Sequence, residues 1–286
     1  MSADTRTAQT LRLGAERGWR EFRGLLASGN ELFSAVVMSL AFVLVVFFQR
    51  NETLEDTGIS TATAALPGIV AMMLVYNGLV GTATYLTTER EDGTLLRAKA
   101  LPGGIASYLW GKTVFMLLNT LLSVVLVLVA GLLLFDGVAD GLADGGPQML
   151  GMMVLGLAAC LPIGAILGTC FDNPRTAIGS LMIPFMGLTV ISGVLMPVSW
   201  MPDWVQTLVQ FTPLYWLGLG MRAAMLPDTM LALEIGGSWR VPETLGVLAL
   251  WAVAGFALAL VLLRRMTRTV NGATLEESRL KAMQRV

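Results

Sequence analysis

Histidine is missing altogether from this chain. Its absence excludes imidazole acid–base catalysis and every histidine-ligated metal centre. Only two cysteines occur, Cys160 and Cys170, both in apolar sequence. Their separation suits neither a metal site nor a dithiol, and both read as small packing residues. Charge is scarce as well: 14% of residues are Asp, Glu, Lys or Arg, about half the share of a soluble domain. Apolar residues take up the difference, at 55% of the 286 positions, with a mean hydropathy of +0.70. A bilayer core of roughly 30 Å takes about 20 consecutive apolar residues per helix, and several stretches supply them. The chain therefore reads as an all-α polytopic membrane protein.

Six transmembrane helices follow from the apolar runs, at residues 32–48, 63–86, 113–135, 148–171, 177–195 and 244–263. The first comes after an arginine-rich lead without a small-residue cleavage site, so it reads as a retained span and not a signal peptide. Pro197 ends the fifth. Pro162 and Pro184 sit inside spans, where neighbouring helices can satisfy the freed backbone groups. None of the six contains Asp, Glu, Lys or Arg. Pumps and proton-coupled carriers work through such groups, so the energy source is expected to lie elsewhere. Lys112, at the mouth of the third span, is expected to snorkel towards water. Residues 106–113 end in Gly-Lys-Thr like a phosphate-binding loop. However, Ala106 stands where the first glycine belongs and no strand precedes it, so the match is read as coincidence.

Basic residues set the orientation. With a cytoplasmic N-terminus, only Arg50, Arg222 and Arg240 of the nineteen Lys and Arg residues fall outside, and both termini are inside. Ahead of the first span, Leu11, Ala15, Trp19, Phe22 and Leu26 recur at helical spacing, with Arg12, Arg17, Arg20 and Arg23 on other faces. This predicts an amphipathic helix lying in the inner interface. On the outer side, Asp136, Asp140 and Asp144 each precede a glycine. A calcium loop needs ligands at alternate positions and a closing glutamate, so this stretch is read as a flexible, solvated turn without metal. Between the fifth and sixth spans, Pro197, Pro202 and Pro213 cut the chain into pieces too short to cross. Trp200, Trp204, Tyr215 and Trp216 are aromatics favoured at a bilayer boundary. These seven residues mark an outer lid of short interfacial or re-entrant helices.

Uncharged polar groups in the spans, such as Tyr76, Asn77, Thr82 and Thr84 in the second and Ser180, Thr189 and Ser192 in the fifth, read first as interhelical hydrogen-bonding groups. In the fourth, Gly156, Cys160, Gly164 and Gly168 recur every four residues, a stripe for close helix contact.

The most polar segment between two spans is TTEREDGTLLRAKALPGG, residues 87–104. Thr87 or Thr88 is predicted to cap a short helix beginning with Glu89, Glu91 and Asp92 and ending near Arg97 and Lys99, the charge order that suits the helix dipole. Gly93 permits a bend, Leu95 and Leu96 add a modest apolar face, and Pro102 stops the helix. A solvated loop needs none of this order, so a docking role at the inner surface is favoured.

The run E-R-E-D-G-T-L-L-R-A-K-A-L-P, residues 89–102, resembles a segment that ABC-2 type transporter permeases carry after their second span. A second resemblance lies after the fifth span, in S-G-V-L-M-P-V-S-W-M-P-D-W-V-Q, then T-P-L-Y-W-L, then Met221-Arg222. With the six-span layout it covers nearly the whole chain and leans towards the daunorubicin-resistance-like drug export permeases. It implies a cytoplasmic N-terminus with a connecting helix (1–31), a six-helix membrane domain (32–263) and a cytoplasmic tail (264–286). It also implies two copies of a separate ABC ATPase, holding ATP and Mg that this chain does not bind, and a second permease as homodimer or paralogous heterodimer. On this reading the chain is no enzyme, contacts no nucleic acid and sits in the plasma membrane. Glu89, Arg90, Glu91, Asp92, Gly93, Thr94, Leu95, Leu96, Arg97, Lys99 and Pro102 become a coupling helix for the ATPase. The second and fifth spans line the path, with Tyr76, Asn77, Thr84, Met182, Met186 and Ser192 offering uncharged, polarizable contacts to a hydrophobic or amphipathic drug or lipid. Export of a lipid-linked polysaccharide or cell-wall glycan is the alternative within the family. An ion-coupled secondary carrier is the alternative outside it.

Overall fold

The computed structural model describes residues 3–48, 50–51, 58–94, 104–194 and 196–269, and the elements among them are helical. Helix α1, Ala3–Ala27, is separated from α2, Gly29–Phe47, by Ser28 alone, whose hydroxyl accepts from the Glu31 N–H to start the second helix. The two axes stand 84° apart.

The second span is one run of 31 residues, Thr61–Glu91. It consists of α3, Thr61–Tyr76, a π-helical turn, Asn77–Gly81, and α4, Thr82–Glu91. Ser60 caps it through the Thr63 N–H. Beyond it come α5, Gly104–Leu134, α6, Val138–Gly168, and α7, Pro174–Ile191. Asn173 caps α7, accepting from the Thr176 N–H at 2.9 Å, with Pro174 pre-set at the first position. The outer segment holds short α8, Asp203–Val209, then α9, Pro213–Met225, and 3-10 turns at Asp228–Leu233 and Ile235–Gly237. Helix α10, Val241–Thr269, closes the described chain.

Five helices among the described residues are long and apolar enough to cross a membrane, and a sixth crossing results if the bent pair formed by α1 and α2 is counted as one. Their order matches the last five of the six expected spans. The second span is the hub: 67% of its apolar window is buried, against 17% for α7, which leans on α4, the π turn and α8. The small residues of α6 make the close contacts expected of them. A Cβ on Gly164 would collide with the Gly78 carbonyl in the π turn, and one on Gly168 would come within 3.0 Å of Leu86.

Two readings are corrected here. The Asp-Gly repeat is no flexible turn: from Val138 onward it forms the first turns of α6. Gly141 and Gly145 lie directly beneath the Met225 and Ala224 carbonyls at the end of α9, so these two glycines serve helix contact, while Asp136, Asp140 and Asp144 are exposed. The outer aromatics also divide. Trp200 and Trp204 are exposed, as a boundary belt should be, whereas Tyr215 and Trp216 are buried with the rest of α9, wedged among α3, α6 and α10. At 13 residues α9 is too short to cross a bilayer, and it is enclosed by protein.

Candidate functional site

The charged segment after the second span is built differently from the short capped helix that its sequence suggests. Thr87 and Thr88 cap nothing; their hydroxyls donate back to carbonyls of the same helix, at Ala83 and Thr84. Glu89, Arg90 and Glu91 are the last turn of α4, so the membrane helix carries its charges out without a break. It ends at Asp92 and Gly93, whose φ of +74° favours glycine. Thr94 follows. Leu95, Leu96, Arg97, Lys99 and Pro102 lie outside the described residues.

Glu89 faces inward, and what it meets is Lys112. The ammonium of Lys112 lies 2.7 Å from Glu89 Oε1 and 2.9 Å from Glu21 Oε2 of α1, over the rings of Tyr85 at 4.6 Å and Phe115 at 4.9 Å. Its side chain is only 8% exposed. The expected snorkelling is therefore corrected: two carboxylates and two aromatic faces solvate the ammonium in place of water. Arg17 extends the cluster, pairing with Glu21 at 3.0 Å and lying over the Tyr108 ring at 5.0 Å. Burial, and after it the Glu89 charge, holds the Tyr108 hydroxyl well above the usual tyrosine range, so it stays protonated.

Close approach of α1 to α5 makes the cluster possible. Gly14 and Gly18 of α1 lie so near Ser107 and Gly111 of α5 that a Cβ on Gly14 would stand 2.7 Å from the Ser107 carbonyl oxygen, and one on Gly18 would overlap that of Gly111. The amphipathic reading of α1 found the outward stripe, on which Leu11, Trp19 and Leu26 are indeed exposed. Phe22, read as part of that stripe, is instead buried: it belongs to a seam with Gly14, Gly18 and Leu25, whose spacing of four, four and three was the available signal.

Glu21 titrates below the usual carboxylate range. Burial pushes its value up, but the charge and hydrogen bond of Lys112, joined by Arg17, outweigh that and bring it down. A carboxyl lowered on folding adds stability above its unfolded value and loses it as pH falls through the folded one. The apparent melting midpoint is therefore expected to fall on acidification below about pH 4.5, the ordinary value, and to fall less steeply in Glu21→Gln. Equal slopes in the two proteins would remove Glu21 from this account.

Arg90 knits a second neighbour to the same end of α4, donating to the Phe171 carbonyl at 3.3 Å and lying 3.7 Å from Asp172. Half-buried Glu91 and exposed Asp92 present the outward surface of the turn. The six residues expected along a path are scattered more widely. The Tyr76 ring lies tilted against that of Phe185 of α7, with centroids 5.5 Å apart; Met182 is partly buried and Met186 exposed. Thr84 and Ser192 spend their hydroxyls on the Val80 and Leu188 carbonyls. A cavity of about 960 Å³ lies elsewhere, lined by Arg50, Thr63, Asp136, Asp140, Asp144 and Gln148 among others.

A family model described as ABC-2 family transporter protein matches residues 48–261. The daunorubicin resistance ABC transporter permease protein DrrB1 of Streptomyces coeruleorubidus is similar, with 26% identity over 211 residues that cover 72% of each chain.

Proposed function

The chain belongs to the ABC-2 transporter family, and on that footing we propose that it is the permease subunit of an exporter moving a hydrophobic or amphipathic compound outward. A separate ATPase, binding ATP and Mg, does the work. The observation that carries this reading is the charged end of α4. The buried central span emerges from the apolar layer as an ion-paired turn keyed to α1, α5 and the loop before α7. A push delivered to Glu91, Asp92 and the residues that follow reaches the core through one continuous helix. The name of the relative, which speaks of daunorubicin resistance, supports a drug as cargo. Six spans with both termini cytoplasmic, a plasma-membrane location and pairing with a second permease belong to the same proposal.

Reconstitution with a co-expressed ABC ATPase tests it, using daunorubicin and a fluorescent phospholipid as probes. Flux of a probe is expected only with ATP and the ATPase present. Transport by the chain alone, or none with the ATPase and ATP supplied, overturns the reading. Within this assay the Glu91→Arg, Asp92→Arg double variant is expected to insert normally and to transport at least about tenfold less, the range of a typical coupling free energy. Unchanged ATPase association and flux in that variant would remove the coupling role from this turn.

A further inference from the structure

At the opposite end of the spans lies another enclosed ion pair. Arg222, in α9, and Glu234, between the two 3-10 turns, have side chains only 8% and 7% exposed. Arg222 donates from Nε and Nη2 to the two oxygens of Glu234, a bidentate fork that lysine cannot reproduce. Its Nη1 donates to the Gly193 carbonyl at 2.9 Å. Gly193 is where the chain leaves α7, at a φ of +75° with Val198 packed where a side chain would go. The next residue, Val194, rests its carbonyl on Gly68 of α3, where a Cβ would collide. The chain leaving the fifth span therefore packs on α3 two turns inside its outer end, and a single guanidinium ties that place to the outer segment.

We propose that the Arg222–Glu234 pair is the latch of an outer gate, a positioning device that keeps the turn leaving α7 seated on α3 beside α9. Its strength depends on enclosure. In a low-dielectric setting the pair resists separation, since either partner alone is a buried, uncompensated charge. Once water reaches it the attraction weakens severalfold, so an opened gate stays open until the segment dries again. The proposal draws on the export reading only for the direction of opening; the closed state and its fastening are properties of this chain alone.

The test needs no ATPase and no substrate. Ser192, fully buried beside Gly193, becomes a reporter as Ser192→Cys in a chain with Cys160→Ala and Cys170→Ser, purified in nanodiscs and challenged with a water-soluble maleimide. A second chain carries Thr120→Cys, at a fully buried position in α5 remote from the latch in sequence. Adding Glu234→Gln is expected to speed labelling at position 192 about tenfold, the scale set by one lost charge-assisted hydrogen bond, and to leave position 120 protected. Unchanged labelling at 192 overturns the latch. So does a parallel rise at both positions, which reports general loosening. Absence of ATP-driven flux in the parent protein with its ATPase, while this labelling pattern holds, would count against the export reading instead.

Discussion

Gly145→Ala is expected to disrupt the packing of α9 on α6 more than any other single methyl added to the described glycines. The new Cβ would fall inside the carbonyl oxygen of Ala224, and a backbone oxygen cannot swing aside as a side chain does. Overpacking ordinarily costs about 1–3 kcal/mol where rotamers can adjust; here the two helices must part, and a loss of ~3 kcal/mol or more is expected. For a chain of this size that lowers the apparent melting midpoint by about 6 °C or more. Gly146→Ala is the internal control. No atom lies within 4 Å of its Cβ position, so the alanine is free to add helix propensity, up to about 1 kcal/mol. Thermal melts of the two variants in the same detergent decide the matter, and equal midpoints would mean that α9 does not seat on α6 as described.

Lys112→Met carries the other large effect. Methionine fills much of the same volume against Tyr85 and Phe115, so the packing change is small, but Glu21 and Glu89 lose their shared counter-charge. Glu89 depends on it heavily, because its Oε2 has no hydrogen-bond partner among the described residues. Breaking one side of a buried pair costs about 3–5 kcal/mol. The lower end is expected here, since the Glu21 side chain keeps 27% of its surface in water and retains Arg17. Glu21→Gln and Glu89→Gln added to Lys112→Met remove the stranded charges, and most of the stability is expected to return. If Lys112→Met melts like the parent protein, the cluster does not join α1 to α4. Recovery in the triple variant identifies charge, not volume, as what the lysine supplies.

The parts of the architecture readable from the sequence were those that follow from counting. Apolar runs of about 20 residues placed the five strongest crossing helices in order, and the prolines at 197, 202 and 213 separated the outer segment from them. The stripe of Gly156, Cys160, Gly164 and Gly168 was legible because four-residue spacing puts small residues on one face whatever the partner. The charged turn at Glu89 was legible as unusual, though not in its geometry. Whether Thr87 caps a new helix or donates back within an old one depends on whether α4 continues, and the residues on both sides have similar helix propensity.

Pairings across long separations were out of reach. Lys112 finds its carboxylates 23 residues before it at Glu89 and 91 before it at Glu21, and no local pattern joins the three. Arg222 and Glu234 are near in sequence, yet the contact to Gly193 depends on where α7 ends. The Asp-Gly repeat was misread for a similar reason: a glycine every four residues signals mobility in an isolated peptide and close contact in a packed one, and only the neighbouring helix distinguishes them.

By itself the sequence determined which apolar stretches are long enough to cross a bilayer, five of which the structure forms as helices, because transfer free energy is a sum over residues and needs no partner. The tertiary structure alone decided which charges face each other, which glycines touch backbone and which aromatics are buried. Those outcomes depend on distances between segments that the chain brings together only when every helix has found its neighbour.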